Sequence, residues 1–480
     1  MYTDNDIWQA IRRRRTMKQR HHARKRVTKL TPSDAVREPR VFWRHRLYHI
    51  NDDIYIGGGI SKREQIVRST LLPRNLRYIL NAEDSPFCYK KIKKFRCPSN
   101  GLIPIPQNFS ITDNPKDSFG VLCTLLAALF VEGLKNVVMD YKECTHVDLT
   151  TQVLLDSIIL DYSKFAETYN KSAARNKVSY SSTFSGIHIN DENVRKMLFS
   201  VGTPNVLKIK NVHYNDVTPY YMCRHDAANE KDNRKLIEQK DLDTTDLADY
   251  VVDCLAKVNK QLTGDAIDAL CTVIGEALIN AEEHSTLRYR YSIGYFRDEI
   301  VNGKHEGVFR LVIMNFGKSI YEKFKDVDCP NPDIVKKMEE LSQKYTKRNL
   351  FGNQFQEEAL WTLYALQQGV SSISPLKAKR GNGFINFIES FFMIKGSKAA
   401  DDISRMTIMS GRTRIVFDGH YEIAKAMKGK EEYKTMTFND SGRIEDPPNK
   451  KYVYNTNYYF PGTIISAKIM LNEDDVTIIK

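Results

Sequence analysis

Glu276, Asn280 and His284 recur at every fourth residue of Glu276-Ala277-Leu278-Ile279-Asn280-Ala281-Glu282-Glu283-His284, so in a helix they share one face. Ile274, Leu278 and Ala281 turn away from it. A carboxylate and a carboxamide one turn apart can hold a hydrated magnesium ion and orient a water. Magnesium is a hard cation that takes one or two protein oxygens and completes its shell with water and phosphate. The spacing marks Glu276 as a candidate general base and Asn280 as a candidate magnesium ligand. The plainer alternative is a solvated helix face. His284 reads as a cap or packing residue.

Two further pieces follow in order. The apolar strand Arg310-Leu311-Val312-Ile313-Met314 runs into Asn315-Phe316-Gly317-Lys318-Ser319. Much later, Lys379-Arg380-Gly381-Asn382-Gly383-Phe384 opens an apolar helix that reaches Phe392. A helix N-terminus presents free N–H groups and the positive end of a dipole, which favours phosphate. Gly57-Gly58-Gly59 lacks the following Gly-Lys-Ser/Thr of a P-loop and reads as a turn.

In this order the pieces resemble the GHKL ATPase superfamily, which takes in gyrase-type topoisomerases, histidine kinases and mismatch-repair ATPases. Glu276-x-x-x-Asn280-Ala281-x-x-His284 is similar to its N-box. Asn315-x-Gly317 stands where the first glycine box, D-x-G-x-G, falls, and Arg380-Gly381-x-Gly383 resembles the second. Phe460-Pro461-Gly462-Thr463 is similar to bacterial members. The resemblance covers residues 246–480 and implies an α/β sandwich, a mixed sheet with helices on one face, that binds ATP and Mg2+. Asn280 would then hold the metal and Glu276 would orient or deprotonate the attacking water. Asn315 and Gly317 would meet the base, and Lys379, Arg380, Gly381 and Gly383 the phosphates. Residues 318–378 would correspond to the ATP lid. Two positions depart from the pattern. Asn315 replaces the aspartate that accepts from the adenine amino group, and Ser319 replaces the last glycine of the box. Asparagine keeps a carbonyl acceptor and adds an NH2 donor. It can pair with adenine or, with its amide turned, with guanine O6.

The elements that must position these residues alternate along the chain. Phe119–Glu132 reads as a buried helix, Asn136–Asp140 as a buried strand, Thr150–Phe165 as a helix, Val178–Tyr180 as a strand, Asp191–Phe199 as a helix and Val206–Ile209 as a strand. Such alternation predicts an α/β domain over 113–245. There, Val138-Met139-Asp140 followed by Thr145-His146-Val147-Asp148-Leu149-Thr150-Thr151 resembles the STAS fold of anti-sigma-factor antagonists. Thr150 falls on that family's phosphorylated serine; a helix N-cap explains the same residues. Beyond 246, helices are expected over Leu247–Leu262 and Gly264–His284. Strands are expected at Ser292–Phe296, Val308–Met314, Met406–Met409, Arg414–Phe417 and Thr463–Met470.

Charge separates the N-terminus from the rest. Residues 1–46 hold 14 Lys/Arg against 4 Asp/Glu, which is +10 of the chain's net +13. Nine Lys/Arg crowd into residues 11–26. This predicts a basic disordered arm whose natural partner is nucleic acid or another polyanion, unless it only solubilises. Residues 47–112 read as a small irregular or linking region. The longest apolar run, Val121–Val131, is shorter than the roughly 20 residues a membrane span needs. Eight scattered cysteines without a CxxC pair or a secretory leader predict reduced thiols in the cytoplasm and no zinc site. Together the resemblances imply an ATP-binding switch whose lid closure controls a protein partner, with slow hydrolysis. A serine/threonine protein kinase of anti-sigma type and a non-catalytic nucleic-acid-binding scaffold with a decayed pocket remain the alternatives.

Overall fold

The computed structural model describes residues 71–172, 180, 182–209, 212–228, 230, 232–283, 285–301, 303–346, 355–370, 384–389, 404–428 and 431–472. The basic arm, Gly57-Gly58-Gly59, His284, Lys379, Arg380, Gly381 and Gly383 lie outside the described residues. The fold is mixed α/β, with parallel and antiparallel sheets. No helix among the described residues is long and apolar enough to cross a membrane. The chain forms two compact units. One holds Met1–Pro106, Asp117–Glu143 and Ser157–Ile189, the other Gln107–Lys116, Cys144–Asp156 and Asn190–Lys480.

The first unit contains a parallel sheet of Leu102–Pro104, Asn136–Asp140 and Thr183–Ile187, with Asn136–Asp140 at its centre. Val137 and Met139 alternate into the interior, as the period of a strand requires. A ring cluster closes the core: Phe130 meets Tyr162 edge-on at 5.3 Å and Phe165 meets Tyr180 at 5.1 Å. The helix Pro115–Ala127 continues as a π turn, Ala128–Glu132, and stops at Gly133, whose φ of 65° favours glycine.

The second unit is built on five strands: β1 (Val217–Asp226), β2 (Tyr289–Val301), β3 (Lys304–Phe316), β4 (Arg405–Phe417) and β5 (Val453–Asn472). Their order is β1-β2-β3-β5-β4, and every pairing is antiparallel. The mixed sheet expected beyond residue 246 is therefore corrected. Between β1 and β2 the chain makes two helices, α1 (Asn233–Lys257) and α2 (Gly264–Glu283), where a parallel crossover needs an odd number of passes. The helix α1 runs across residue 246, and β1 upstream of it completes the sheet.

Alternation along the strands decides which face α1 and α2 cover. Phe309, Leu311 and Ile313 of β3, Ile465, Ala467 and Ile469 of β5, and Met406 and Ile408 of β4 are buried with Leu247, Val251 and Cys254 of α1 and Ile274 and Leu278 of α2. Each fully buried aliphatic side chain contributes about 1.5–3 kcal/mol, which outweighs the weak helix propensity of the charged start of α1.

Two local expectations change. Val206–Ile209 is not a strand: Gly202 and Pro204 start a short helix, Thr203–Val206, since proline suits a first helical turn. Met406–Met409 and Arg414–Phe417 are one strand, β4, kinked where Gly411 takes a φ of 58°. The segment expected as a lid carries α3 (Ile320–Phe324), α4 (Pro332–Thr346) and α5 (Glu357–Ala365), which share a core of Phe324, Met338, Tyr345, Leu360, Trp361 and Tyr364. This layer is bonded to the sheet: the Arg412 N–H donates to Glu358 Oε1 at 2.7 Å, and the Ile320 N–H to Ser410 Oγ at 2.9 Å.

Candidate functional site

One row of residues crosses the sheet beside the C-terminal end of α2. Register places His225 (β1) opposite Arg290 (β2), Arg290 opposite Asn315 (β3), Asn315 opposite Thr463 (β5) and Thr463 opposite Ser410 (β4). All five are polar and all five are buried. Asn315 follows Ile313, Leu311 and Phe309 at the strand period, so the row ends the helix-covered face. A buried polar row is costly unless its groups find partners.

Most of them do. His225 Nδ1 and Glu282 form a short contact, Arg290 Nη2 bonds Asp243 of α1, and Arg290 Nε lies 3.7 Å from Glu282 Oε2. Gln239 Nε2 donates to Asp243 Oδ1 at 2.7 Å. Burial pushes the Glu282 carboxyl up. The hydrogen bond to His225 and the charges of His225, Lys240 and Arg290 outweigh that and hold it below the ordinary range. At the far end, Ser410 Oγ and Thr463 Oγ1 are 2.9 Å apart.

The centre of the row is left open. Asn315 Nδ2 donates to the Ala281 carbonyl at 2.7 Å. Ala281 lies in the last turn of α2, where carbonyls lack helical partners. That bond decides the amide's orientation: turning it would set oxygen against oxygen. Asn315 Oδ1 is consequently a buried acceptor without a hydrogen-bond partner, and the neighbouring Arg290 Nη1 is a buried donor without one. An unmade buried bond costs about 1–3 kcal/mol, so each group would be stabilised by a ligand or water that supplied its missing partner.

The strand end is shaped by the turn after α2. Gly317 has a φ of 142°, and a Cβ there would stand 2.2 Å from Thr286 Oγ1. The Lys318 N–H donates to Thr286 Oγ1 at 2.8 Å, and Ser285 Oγ donates to the Phe316 carbonyl at 2.7 Å. The group for which Gly317 makes room is thus Thr286. Ser319, which takes the place of a glycine, has its own task. It caps α3 in a reciprocal capping box with Glu322, and Tyr459 OH donates to Glu322 Oε2 at 2.8 Å.

Asn280 lies one residue before Ala281 in α2 and is half-buried. The backbone of Glu276 is helical one turn earlier, while its side chain lies outside the described residues. The structure therefore brings Asn280, Asn315 and Gly317 to one end of the sheet. Among the described residues no group of three or more His, Cys, Asp or Glu side chains is arranged to hold a metal ion. Thr150, which the STAS resemblance aligns with a phosphorylated serine and which also reads as part of a helix start, is only 1 % exposed, with its hydroxyl buried.

Arg290, Asp243, Glu282 and His225 were not singled out by the sequence. A signal existed: Arg290 is in phase with Phe296 along β2, and a charge in phase with a core face needs a buried partner. No protein-family model, curated protein or solved structure matches the chain.

Proposed function

We propose that the second unit binds Mg-ATP in a GHKL-type site and that the protein works as a nucleotide-dependent switch. The observation that carries this reading is the buried, unpartnered Oδ1 of Asn315, held by the Ala281 carbonyl as an acceptor. An exocyclic amino group, as on adenine, offers the donor it lacks. Guanine O6, itself an acceptor, does not. The succession of α2, β2, β3, a helical layer, the helical residues 384–389, β4 and β5 supports the same reading.

In this assignment Asn280 supplies a carboxamide oxygen to Mg2+, which would neutralise phosphate charge. Glu276 orients or deprotonates water. Lys379, Arg380, Gly381 and Gly383, outside the described residues, are assigned to the phosphates from sequence. Asn315 is four residues from Ser319, the cap of α3. A ligand that pulls on the end of β3 therefore acts directly on a layer that shares a packed core of its own. Incubation with ATP labelled at the γ-phosphate tests the outcome. Free phosphate that disappears in Glu276→Ala, with binding retained, supports a hydrolytic switch. Labelled protein favours a kinase, and absence of ATP binding removes the proposal.

A further inference from the structure

The opposite face of the same sheet carries a second row of charge. Register sets Arg310 (β3) beside Lys468 (β5), and Lys468 beside Arg405 (β4), so three cations stand side by side across three strands. They alternate with Leu311, Ala467 and Met406 of the core, so they point away from α1 and α2. Adjacent strands are about 4.8 Å apart, which gives a strip roughly 10 Å wide at the backbone. Like charges directly opposite one another destabilise a sheet, so the row needs a compensating anion.

The described residues supply only part of one. Arg405 Nη2 contacts both carboxylate oxygens of Asp113, at 2.9 and 3.2 Å. Among the described residues, neither Lys468 nor Arg310 forms an ion pair with a carboxylate; Arg310 lies over the Tyr295 ring at 5.5 Å. Both are half-buried. Burial first, then the charges of Arg310 and Arg405, pull the Lys468 ammonium below its ordinary range, against Asp113 and Asp148. Asp148 is a poor counter-charge, because burial raises its own carboxyl. The exposed His146 completes the rim, close enough to feel Arg310 and Lys468.

We propose that Arg310, Lys468 and Arg405, with His146 at the rim, form a binding site for a phosphate group carrying at least two negative charges. Guanidinium forks match phosphate oxygens in two-point contacts, and the central ammonium adds a point charge. The site is on the other face of the sheet from Asn315 and does not depend on the nucleotide reading. Two sources share this chemistry: a small phosphorylated ligand and a nucleic-acid backbone.

Inorganic pyrophosphate is the probe, with the full chain, wild type against Lys468→Gln and Arg310→Gln, and Lys94→Gln as a charge control. Binding raises the melting temperature by linkage. Each row variant should weaken pyrophosphate binding roughly tenfold, and Lys94→Gln should not. Without ligand, Lys468→Gln should be at least as stable as wild type, because repulsion is removed, so a loss of binding is not a loss of fold. A single-stranded oligonucleotide titrated against the same proteins separates the sources. Loss confined to pyrophosphate assigns a small phosphorylated ligand, and a parallel loss for the oligonucleotide assigns a nucleic-acid backbone. Equal pyrophosphate binding in wild type and both row variants, or a Lys468→Gln protein less stable than wild type, overturns the proposal.

Discussion

The side-chain amide of Asn315 caps the open carbonyl of Ala281 at 2.7 Å and by doing so turns its own oxygen into an unshared acceptor. This bond joins the strand end to the last turn of the helix. Asn315→Asp should separate its two roles. An aspartate keeps the acceptor, so ATP should still be preferred over GTP. It loses the donor, so the Ala281 carbonyl goes unpaired and stability should fall by about 1–3 kcal/mol. Urea unfolding and the ATP-to-GTP affinity ratio measure the two effects. An unchanged stability would show that the cap is not made in solution.

Asp156 predicts a pH dependence of the opposite sign to ordinary acid denaturation. Burial lifts its carboxyl to about 7, against hydrogen bonds from Thr203 and Gln152. In the unfolded chain an aspartate ionises near 3.9. Between those values the unfolded state releases its proton while the folded state keeps it. Asp156 therefore makes stability fall as pH rises from about 4 to about 7, and level off above. Asp156→Asn should be more stable than wild type at pH 8 and lose that advantage below pH 4. Parallel stability curves for the two proteins from pH 4 to 8 would contradict the raised value.

Residues 11–26 predict a salt-dependent interaction that is independent of the nucleotide site. Nine Lys/Arg in that segment engaging about four to six phosphates of duplex DNA give a slope of log K against log salt of roughly −4 to −5. Sequence preference should be small, because phosphate contacts position without specifying. Fluorescence anisotropy across a salt series, on the full chain and on a chain lacking residues 1–30, checks this. Equal binding by both, or none at low salt, assigns the arm to another task.

Long periodic elements were legible in the sequence and edge elements were not. The expected helix Gly264–His284 is α2 as far as the described Glu283, and Asn136–Asp140 is a strand at the expected bounds. Both are driven by their own apolar pattern. The strand β1 escaped because it lies at an edge, contains Pro219 and exposes Tyr221, so its alternation is weak. Ser319 looked like a missing glycine. Its capping role shows only once α3 and Tyr459 are in place. Of the site, α2 and the end of β3 could be read from spacing. The charges behind them could not: Asp243 and Arg290 are 47 residues apart and meet only through the pairing of β1 and β2 and the packing of α1.

Calorimetric titration of the full chain with ATP, with and without Mg2+, tests the central claim most directly. Wild type should bind ATP more tightly with the metal than without it. Asn280→Ala should lose that metal-dependent gain while its thermal unfolding stays near wild type, since Asn280 is only half-buried and lies off the core. Absence of ATP binding by wild type, or an equal metal-dependent gain in Asn280→Ala, would contradict the assignment of this end of the sheet as a Mg-ATP site.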